Sequence, residues 1–342
     1  MNVAERISTQ HGTSPARMPG VDDYLTDVLS YLAASGYHFI PLTPLTHQRF
    51  NARAASHTYP SLRHILGWNV ALPVSDDVQP LSASVAQANT LLGDSTPHSA
   101  VRVASLDEDL FLHFAYPTNE DNAIFFGPDT CRFVCILRQW APETALHALT
   151  QATQKPVRIL AAGCGSGTGG ITAIHMLTAM AQDTELTLLD INPRALESAA
   201  INAKFAQVPA TIRLSDGFQN LTSAFDLIIA TPPFIEDEQE RTYQHGDAQL
   251  GRSLSDQLAT EVLAYLAPGG TLILNTGATI VGGSDGLLAN LHTPLQQSSC
   301  NWSYAEIDPD VFGQKLDRPA YHRAERIAAI GVIATRPQQV RS

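Results

Sequence analysis

Residues 157–170, VRILAAGCGSGTGG, decide the fold, because a short apolar strand here runs directly into a glycine-rich turn. Arg158–Ala162 is predicted to be a buried strand and Ile171–Ala181 a helix, since their apolar residues follow strand and helix spacing. Between them, glycine occupies every second position from Gly163 to Gly169. A strand, a tight glycine turn and a helix N-terminus form a cradle in which the backbone can approach a ligand closely.

The spacing of these glycines indicates the kind of ligand. Gly163, Gly165 and Gly167 form the pattern G-x-G-x-G, which is one residue shorter than the dinucleotide fingerprint G-x-G-x-x-G. We interpret the difference as favouring an adenosyl cofactor that lacks a pyrophosphate. Taken alone, the motif leaves open a glycine-rich turn that binds nothing.

Composition narrows the functional class. The 342 residues suffice for one large domain or two smaller ones, and 21 basic against 33 acidic side chains give a formal net charge of −12. This charge is a poor match for a phosphate backbone, so a nucleic-acid partner is predicted to be unlikely. No apolar run reaches the length of a membrane span, and residues 1–20 lack the apolar centre of a secretory signal, so a cytoplasmic protein is expected.

Cysteine and histidine usage predicts no metal site, because neither residue type shows metal-ligand spacing. Cys131 and Cys135 are expected to be core residues on a helix over residues 131–139. Cys164 is expected to fill space in the glycine turn, as a small apolar side chain.

The remainder of the chain predicts an α/β fold with two regions. Residues 1–118 are assigned to a smaller N-terminal α+β domain, accessory or substrate-recognising, with helices at 21–35 and 81–92 and a hairpin at 100–116. Residues 119–342 are assigned to the cofactor-binding domain. There, strands alternate with helices, which predicts a Rossmann-like, doubly wound, mostly parallel seven-stranded sheet. The strands are placed at 158–162, 185–190, 211–214, 226–230 and 271–275, with an antiparallel edge pair at 303–307 and 327–334, and the helices at 171–181, 193–205 and 253–266.

Two acidic residues follow predicted strands at the edge where such sheets bind ligands. Asp190 ends the second strand, where its carboxylate can accept hydrogen bonds from both hydroxyls of a ribose. Capping of the helix that begins at Pro193 is the alternative role. Asp216-Gly217 follows the third strand, where the carboxylate can accept from an adenine amino group. An ordinary Asp-Gly turn is equally compatible with that dipeptide.

The fourth strand ends in Thr231-Pro232-Pro233-Phe234. Two prolines after a buried strand supply no backbone donors and fix φ, so they form a rigid corner. We interpret this corner as a site where backbone carbonyls point outward and the ring of Phe234 packs against a flat group of a ligand. A stiff turn without a function is the alternative.

Together, G-x-G-x-G, the acidic end of the second strand and the Pro-Pro corner resemble the class I S-adenosylmethionine-dependent methyltransferases. Within these, the chain resembles the small-domain methyltransferases, a group that includes glutamine methyltransferases of release factors and N-methyltransferases of ribosomal RNA. TPPF is then a variant of that group's NPPY motif. The resemblance covers about residues 120–335 and includes Phe125–Thr130 and Leu250–Ser253.

The resemblance implies S-adenosylmethionine as cofactor and a role for each matching residue. Gly163, Gly165 and Gly167 would pass beneath the methionine part of the cofactor, whereas Asp190 would bind its ribose and Asp216 its adenine. The implied cofactor-binding set is Phe126, Thr130, Gly163, Cys164, Gly165, Gly167, Asp190, Ile191, Asp216, Gly217 and Thr231, and the implied catalytic set is Thr231, Pro232, Pro233 and Phe234. Methyl transfer is an in-line displacement at a sulfonium, so the protein's contribution is positioning and desolvation.

Two positions depart from the family pattern. Ala161 stands where the family has an acidic residue, and Thr231 stands where its N-methylating members have asparagine. The leading hypothesis is methyl transfer to a small-molecule or protein acceptor. The alternative is intramolecular cyclisation of the cofactor with release of methylthioadenosine, as in azetidine-2-carboxylate synthases. It is motivated by Ala161 and by the aromatic segment Tyr116–Phe126, with Tyr243 and His245 as further polar groups. Ribosomal RNA N-methylation and a non-catalytic binding module are less favoured.

Overall fold

The computed structural model describes residues 21–54, 61–71, 98–114, 124–140, 156–179, 183–218, 221–236, 246 and 248–338. The chain divides into two compact units. The first comprises Met1–Asn119, Ile124–Pro128 and Ile201–Gln207, and the second comprises Glu120–Ala123, Asp129–Ala200 and Val208–Ser342.

The first unit combines helices with a hairpin. Its described elements are α1 (Val21–Ala34), α2 (Pro44–Ala54), a π-helical turn (Arg63–Gly67), β1 (Val101–Leu106) and β2 (Asp109–Phe114). β1 and β2 pair antiparallel around a turn at Asp107, whose φ is +53°. Their apolar side chains join those of α1 and the π-helical turn in one core. The predicted hairpin and first helix are therefore present, whereas the helix predicted at 81–92 lies outside the described residues.

The other elements follow the predicted alternation of strands and helices. They are α3 (Pro128–Trp140), β3 (Val157–Ala162), α4 (Thr168–Thr178), β4 (Thr184–Asp190), α5 (Pro193–Phe205), β5 (Ala210–Leu214), β6 (Phe225–Ala230), α6 (Ala248–Gly251), α7 (Ser253–Glu261), β7 (Leu266–Val281), β8 (Ser284–Asp285), α8 (Gly286–Gln297), β9 (Asn301–Asp308) and β10 (Arg326–Thr335).

The described strands of the second unit form one sheet in the order β5-β4-β3-β6-β7-β10-β9, with the two-residue β8 paired to β7. The pairs from β5 to β7 are parallel, and β10 pairs antiparallel with both β7 and β9. This arrangement confirms the predicted Rossmann-like, mostly parallel sheet with its antiparallel edge pair. The order reverses at β3, so the carboxyl ends of β3, β4 and β6 are neighbours, which is where such sheets bind ligands.

The glycine turn is shorter than predicted. It ends at Gly167, and Gly169 and Gly170 are already helical, because α4 begins at Thr168. The reason is packing. A Cβ on Gly169 would lie 2.6 Å from Cε1 of Phe133, and one on Gly170 would lie 2.8 Å from Cδ2 of Leu188. These two glycines therefore let α4 approach its neighbours closely.

The carboxyl-terminal half contains two features that the pattern did not predict. β7 continues to Val281, well beyond the predicted end at residue 275, and α8 was missed altogether. Asp285 caps α8, because its Oδ1 accepts from the backbone N–H groups of Leu287 at 2.9 Å and Leu288 at 3.0 Å. The predicted helix over 253–266 is α-helical only to Glu261 and continues as a 3₁₀ turn to Tyr265.

The prediction that Cys131 and Cys135 are core residues is wrong. Cys135 is exposed and Cys131 is partly exposed, because the buried side of α3 is formed by other residues. These are Phe133, Val134, Ile136 and Leu137. Among the described residues, no helix has the length and apolar character needed to span a membrane. In the same part of the chain, no three His, Cys, Asp or Glu side chains are grouped so as to hold a metal ion.

Candidate active site

The glycine turn between β3 and α4 is held in a left-handed conformation at three positions. Gly163, Gly165 and Gly167 have φ values of +62°, +52° and +81°. Such values favour glycine, so the alternating pattern follows from the backbone path. The N–H of Gly167 donates to the carbonyl of Cys164 at 2.8 Å, which closes the turn. Gly163 is exposed and a Cβ there would meet no atom within 4 Å, so one side of the turn is open.

Asp190 links the end of β4 to this turn. Its Oδ2 accepts from the N–H of Gly165 at 2.9 Å, and its Oδ1 accepts from the N–H of Asn192 at 2.9 Å. Burial raises the pKa of the carboxyl, while these backbone hydrogen bonds oppose the rise. A carboxylate has about four lone-pair positions, and the backbone of Gly165, Asn192 and Ile191 uses three, so it can still accept a hydrogen bond from a ribose hydroxyl.

The alternative role for Asp190, capping of α5, belongs to Asn192 instead. The Oδ1 of Asn192 accepts from the N–H of Arg194 at 3.0 Å, as an N-cap does. Ile191, between the two polar residues, is partly exposed. The Asp190 carboxylate therefore does not itself cap α5, and its contact with a ribose remains a prediction.

Ala161 lacks the carboxylate that the family pattern places there. Its side chain is buried, and a Cβ on Gly170 would lie 3.3 Å from its Cβ. A charged side chain at position 161 would have to be accommodated in this apolar contact, which is unfavourable without a partner. Asp190 supplies the carboxylate that organises the turn instead, from the neighbouring strand.

The other predicted cofactor residues on this edge are Cys164 in the glycine turn and Asp216-Gly217 in the turn after β5. Burial, aided by the charge of Asp190, raises the pKa of the Cys164 thiol well above its usual range, so the thiol stays neutral and is a poor nucleophile. Asp216 is exposed, and Gly217 has a φ of +76° with open space where a Cβ would be. The hydroxyl of Ser215 donates to the carbonyl of Gly217 at 2.9 Å, which stabilises this turn.

These observations test whether the residues fit S-adenosylmethionine. Gly163 after β3 and Gly217 after β5 both border open space, and the carboxylate of Asp190 lies on the strand between them in the sheet. Backbone that a ligand can approach, with a carboxylate for a ribose, suits an adenosyl group. The residues present therefore fit the predicted cofactor.

Phe126 and Thr130 were predicted to line the same cofactor. Phe126 belongs to the first unit, where its buried ring stacks at 5.8 Å on Phe111 and at 5.1 Å on His113. Thr130 is partly exposed in the first turn of α3. Their contact with a cofactor remains a prediction.

Asp129, beside Thr130, forms an ion pair that sequence reasoning had not identified. Its Oδ1 accepts from Nη1 of Arg132 at 3.0 Å, and Nε of Arg132 donates to Asp308 at 2.9 Å. Burial raises the pKa of Asp129 to about 6, against the opposing effect of Arg132. The Arg132 side chain thereby connects α3 to the end of β9.

The Pro-Pro corner after β6 is held from several sides. Pro232 is buried and Pro233 partly exposed. The ring of Phe234 occupies the space that a side chain on Gly277 would need, and lies 5.7 Å from the ring of Phe312. Phe234 is 9% exposed, so its ring packs mainly in the core, and its predicted role in framing an acceptor stays a prediction.

Segments distant in sequence close this corner. Gly251, with φ of +83°, brings α6 so near that a Cβ would lie 2.5 Å from the carbonyl oxygen of Phe234. The hydroxyl of Tyr321, between β9 and β10, accepts from the N–H of Glu236 at 2.7 Å. The glycine of the segment Leu250–Ser253 is thus required by backbone approach.

Two buried polar atoms at this end of the sheet have no hydrogen-bond partner among the described residues. One is Oγ1 of Thr231 and the other is Oδ1 of Asn275, whose side chain is almost fully buried. An unsatisfied buried polar group costs about 1–3 kcal/mol. Asn275 was missed by sequence reasoning, although it is the last residue of the strand predicted at 271–275; in the structure it lies inside β7.

Comparison with known proteins places this geometry in context. Residues 143–278 match the family described as methyltransferase small domain. A release factor glutamine methyltransferase from Koribacter versatilis is 25% identical over 50% of this chain and 62% of its own length. A Methanocaldococcus jannaschii protein, provisionally named protein N5-glutamine methyltransferase, is 34% identical over 34% of this chain and 60% of its own. A ribosomal RNA small subunit methyltransferase C from Shewanella denitrificans is 39% identical over 22% of this chain and 21% of its own.

The chain spans about three fifths of the length of the first two relatives. The matched residues, 143–278, include the glycine turn, Asp190, the Pro-Pro corner and Asn275.

Proposed function

We propose that this protein transfers a methyl group from S-adenosylmethionine to a nitrogen acceptor, because residues 143–278 match the methyltransferase small domain family that the motifs predicted. The family match and the named relatives support an S-adenosylmethionine-dependent transferase of class I. The observation that carries the proposal is the hydrogen bond from Gly165 to Asp190, which joins the glycine turn to the ribose-type carboxylate at 2.9 Å.

Each side chain of the site has a physical task in this reaction. When bound, the cofactor supplies an electrophilic methyl group on a sulfonium. The open face of Gly163 admits the cofactor against the backbone, and Asp190 holds the turn and offers lone pairs to a ribose. The rigid corner at Pro232 fixes the direction in which an acceptor approaches. Positioning and the exclusion of water supply the rate enhancement.

We propose a protein side-chain amide of the glutamine type as acceptor. Two relatives are named glutamine methyltransferases, and the net charge of −12 opposes attraction to a phosphate backbone. A small-molecule amide presents the same chemistry. Other relatives are named ribosomal RNA methyltransferases, so RNA is the comparison substrate in the test below.

Product analysis tests this function. The purified protein is incubated with methyl-labelled S-adenosylmethionine, first alone and then with a peptide that carries one central glutamine or with small-subunit ribosomal RNA. We expect S-adenosylhomocysteine and labelled peptide. Thr231→Val should reduce transfer, whereas Thr178→Val, an exposed position on α4, should not. Binding of the cofactor without turnover in any reaction would contradict the proposal.

The same assay measures the alternative reaction. The buried apolar Ala161, where a carboxylate was expected, is the observation that favours cyclisation of the cofactor. Tyr243 and His245, which the alternative also invoked, lie outside the described residues. Cyclisation would release methylthioadenosine without any acceptor, whereas methyl transfer releases S-adenosylhomocysteine and depends on the acceptor.

A further inference from the structure

Thr231 directly follows the end of β6, and Asn275 lies at the matching position of the neighbouring strand β7. Ala230 of β6 pairs in parallel register with Leu274 of β7, so Thr231 and Asn275 are the next residue on each chain. Residues at the same register position of parallel strands point to the same face of the sheet. The two unpartnered atoms, Oγ1 of Thr231 and Oδ1 of Asn275, therefore belong to residues on the same face of the sheet.

The surroundings of Asn275 are aromatic. Gly277 lies two residues further along β7, and Gly331 of β10 lies directly opposite Asn275. A side chain on Gly277 would collide with the ring of Phe234, and one on Gly331 would collide with the ring of Trp140. Because both glycines lack a side chain, the rings of Phe234 and Trp140 reach the sheet at two positions that neighbour Asn275.

Among the described residues, this is a place where a donor and an acceptor are both buried and both left without partners. The hydroxyl of Thr231 can donate, and the amide oxygen of Asn275 can accept. Apolar walls with a few convergent polar atoms are typical of ligand pockets. The complementary group is planar and carries an N–H next to a carbonyl oxygen, which describes a carboxamide.

We propose that Asn275 and Thr231 form the polar end of the acceptor pocket, with Asn275 accepting the N–H of the amide nitrogen that becomes methylated. The hydroxyl of Thr231 donates to the carbonyl oxygen of the same amide. This proposal rests on the proposed function. It assigns to Asn275, on the neighbouring strand, the amide contact that Thr231 is too short to provide.

The reaction balances with these contacts. The N–C bond forms as the S–C bond breaks, and the electron pair of the broken bond stays on sulfur, which becomes a neutral thioether. The nitrogen then loses one proton to water. The hydrogen bond to Asn275 orients the N–H of the amide. The hydrogen bond from the Thr231 hydroxyl to the carbonyl oxygen fixes the amide plane, so the nitrogen faces the methyl group. Both residues are positioning residues in this scheme.

The test compares three variants on the full chain. Asn275→Leu keeps the branched shape but removes both polar atoms, and Asn275→Asp keeps an accepting oxygen. Thr276→Val is the matched control, because Thr276 is equally buried on the same strand and its hydroxyl lies 2.6 Å from Ser255. The probes are the glutamine peptide, the same peptide with glutamate in place of glutamine, and small-subunit ribosomal RNA. The readouts are kcat/KM, the Kd for S-adenosylmethionine and the melting temperature.

We expect Asn275→Leu to lower kcat/KM on the glutamine peptide by about 100-fold, the effect of losing one aligned hydrogen bond in a transition state. Cofactor affinity should stay unchanged and the melting temperature should not fall, because a buried unsatisfied atom is removed. Asn275→Asp should retain more activity than Asn275→Leu. Thr276→Val should lower the melting temperature without affecting kcat/KM, and the glutamate peptide should not be methylated.

Other outcomes overturn the proposal. Full activity of Asn275→Leu would overturn the proposal. A loss of activity that is accompanied by a lower melting temperature would assign Asn275 a structural role. Methylation of the RNA in place of the peptide would replace the amide acceptor by a base. Turnover by the wild type with an unaffected Asn275→Leu variant refutes this inference alone, whereas absence of all turnover refutes the proposed function together with it.

Discussion

At the scale of single residues, the site depends on the carboxylate of Asp190, which accepts hydrogen bonds from two separate backbone segments. Asp190 accepts from Gly165 in the turn and from Asn192 before α5, so it connects two backbone segments. The family pattern predicted a carboxylate on β3, at Ala161. Since β3 and β4 pair in parallel, with Ala162 opposite Leu189, a carboxylate one residue further along β4 reaches the same turn. A function assigned to one strand can therefore be supplied by its neighbour.

Replacement of Asp190 tests this shared role. Asp190→Ala leaves the N–H groups of Gly165 and Asn192 without their acceptor, which should lower the free energy of unfolding by about 1–3 kcal/mol. The Kd for S-adenosylmethionine should rise at least about tenfold, or about 1.4 kcal/mol. Urea unfolding and calorimetric titration measure the two effects. Asp216→Ala, at an exposed carboxylate, should leave stability unchanged, and equal stability of both variants would contradict the shared role.

Asp129 predicts a pH dependence of stability. Its pKa is raised to about 6, so the folded state binds the proton more tightly than the unfolded state does. The wild type should therefore lose stability as the pH rises from about 4 to 6, by at most about 3 kcal/mol. Asp129→Asn, which keeps an oxygen for Arg132, should lack this loss. Urea unfolding of both proteins at pH 4 and pH 7 measures it, and parallel pH curves would show that Asp129 does not contribute.

The sequence could predict the residues of the site whose role follows from local pattern. The left-handed glycines and Asp190 lie at strand ends that apolar spacing already indicates. Asn275 could not be predicted in this way, because its significance depends on the register between β6 and β7 and on two unpaired atoms. The role predicted for Phe234 in framing an acceptor stays a prediction, and the packing of its ring largely in the core could not be predicted from the motif.

At the scale of elements, α4 shows why a glycine pattern can be misinterpreted. Gly169 continues the alternation of the turn, yet it lies in the first turn of the helix and serves packing against Phe133. Alternating glycines give no indication of where a turn ends and a helix begins. α8 was missed for a related reason: Pro294 lies inside it, and proline normally argues against a helix interior. The N-cap at Asp285 was the signal that could have located it.

The close approach of α4 makes a prediction opposite to helix propensity. In an exposed helix interior, glycine to alanine stabilises by about 1 kcal/mol. Gly169→Ala would place a Cβ 2.6 Å from Cε1 of the buried Phe133, so overpacking should give a net loss of about 1–3 kcal/mol. Thr178→Ala, on the exposed end of α4, should change stability by less than about 0.7 kcal/mol. Stabilisation by Gly169→Ala in urea unfolding would refute the close approach.

At the scale of the whole molecule, α5 contributes residues to both compact units. Residues up to Ala200 belong to the second unit and Ile201–Gln207 to the first. Sequence composition predicted a boundary at residue 118, and that boundary remains a prediction. Composition could not assign the end of α5 to the first unit, because that assignment depends on which side chains meet in three dimensions. Ile201 lies in the apolar core formed by α1 and the hairpin.

Asn202 tests how strongly the end of α5 supports the first unit. Its Oδ1 accepts from the N–H of Leu112 at 2.8 Å and its Nδ2 donates to the carbonyl of Leu112 at 3.0 Å, so one side chain satisfies both backbone groups of this β2 residue. Asn202→Ala leaves these buried groups unpaired, which should lower the free energy of unfolding by about 2–4 kcal/mol. Lys204→Ala, two residues away, removes an exposed ion pair with Asp23 and should lower it by less than about 1 kcal/mol. Equal urea midpoints for the two variants would show that the end of α5 contributes little to the stability of the first unit.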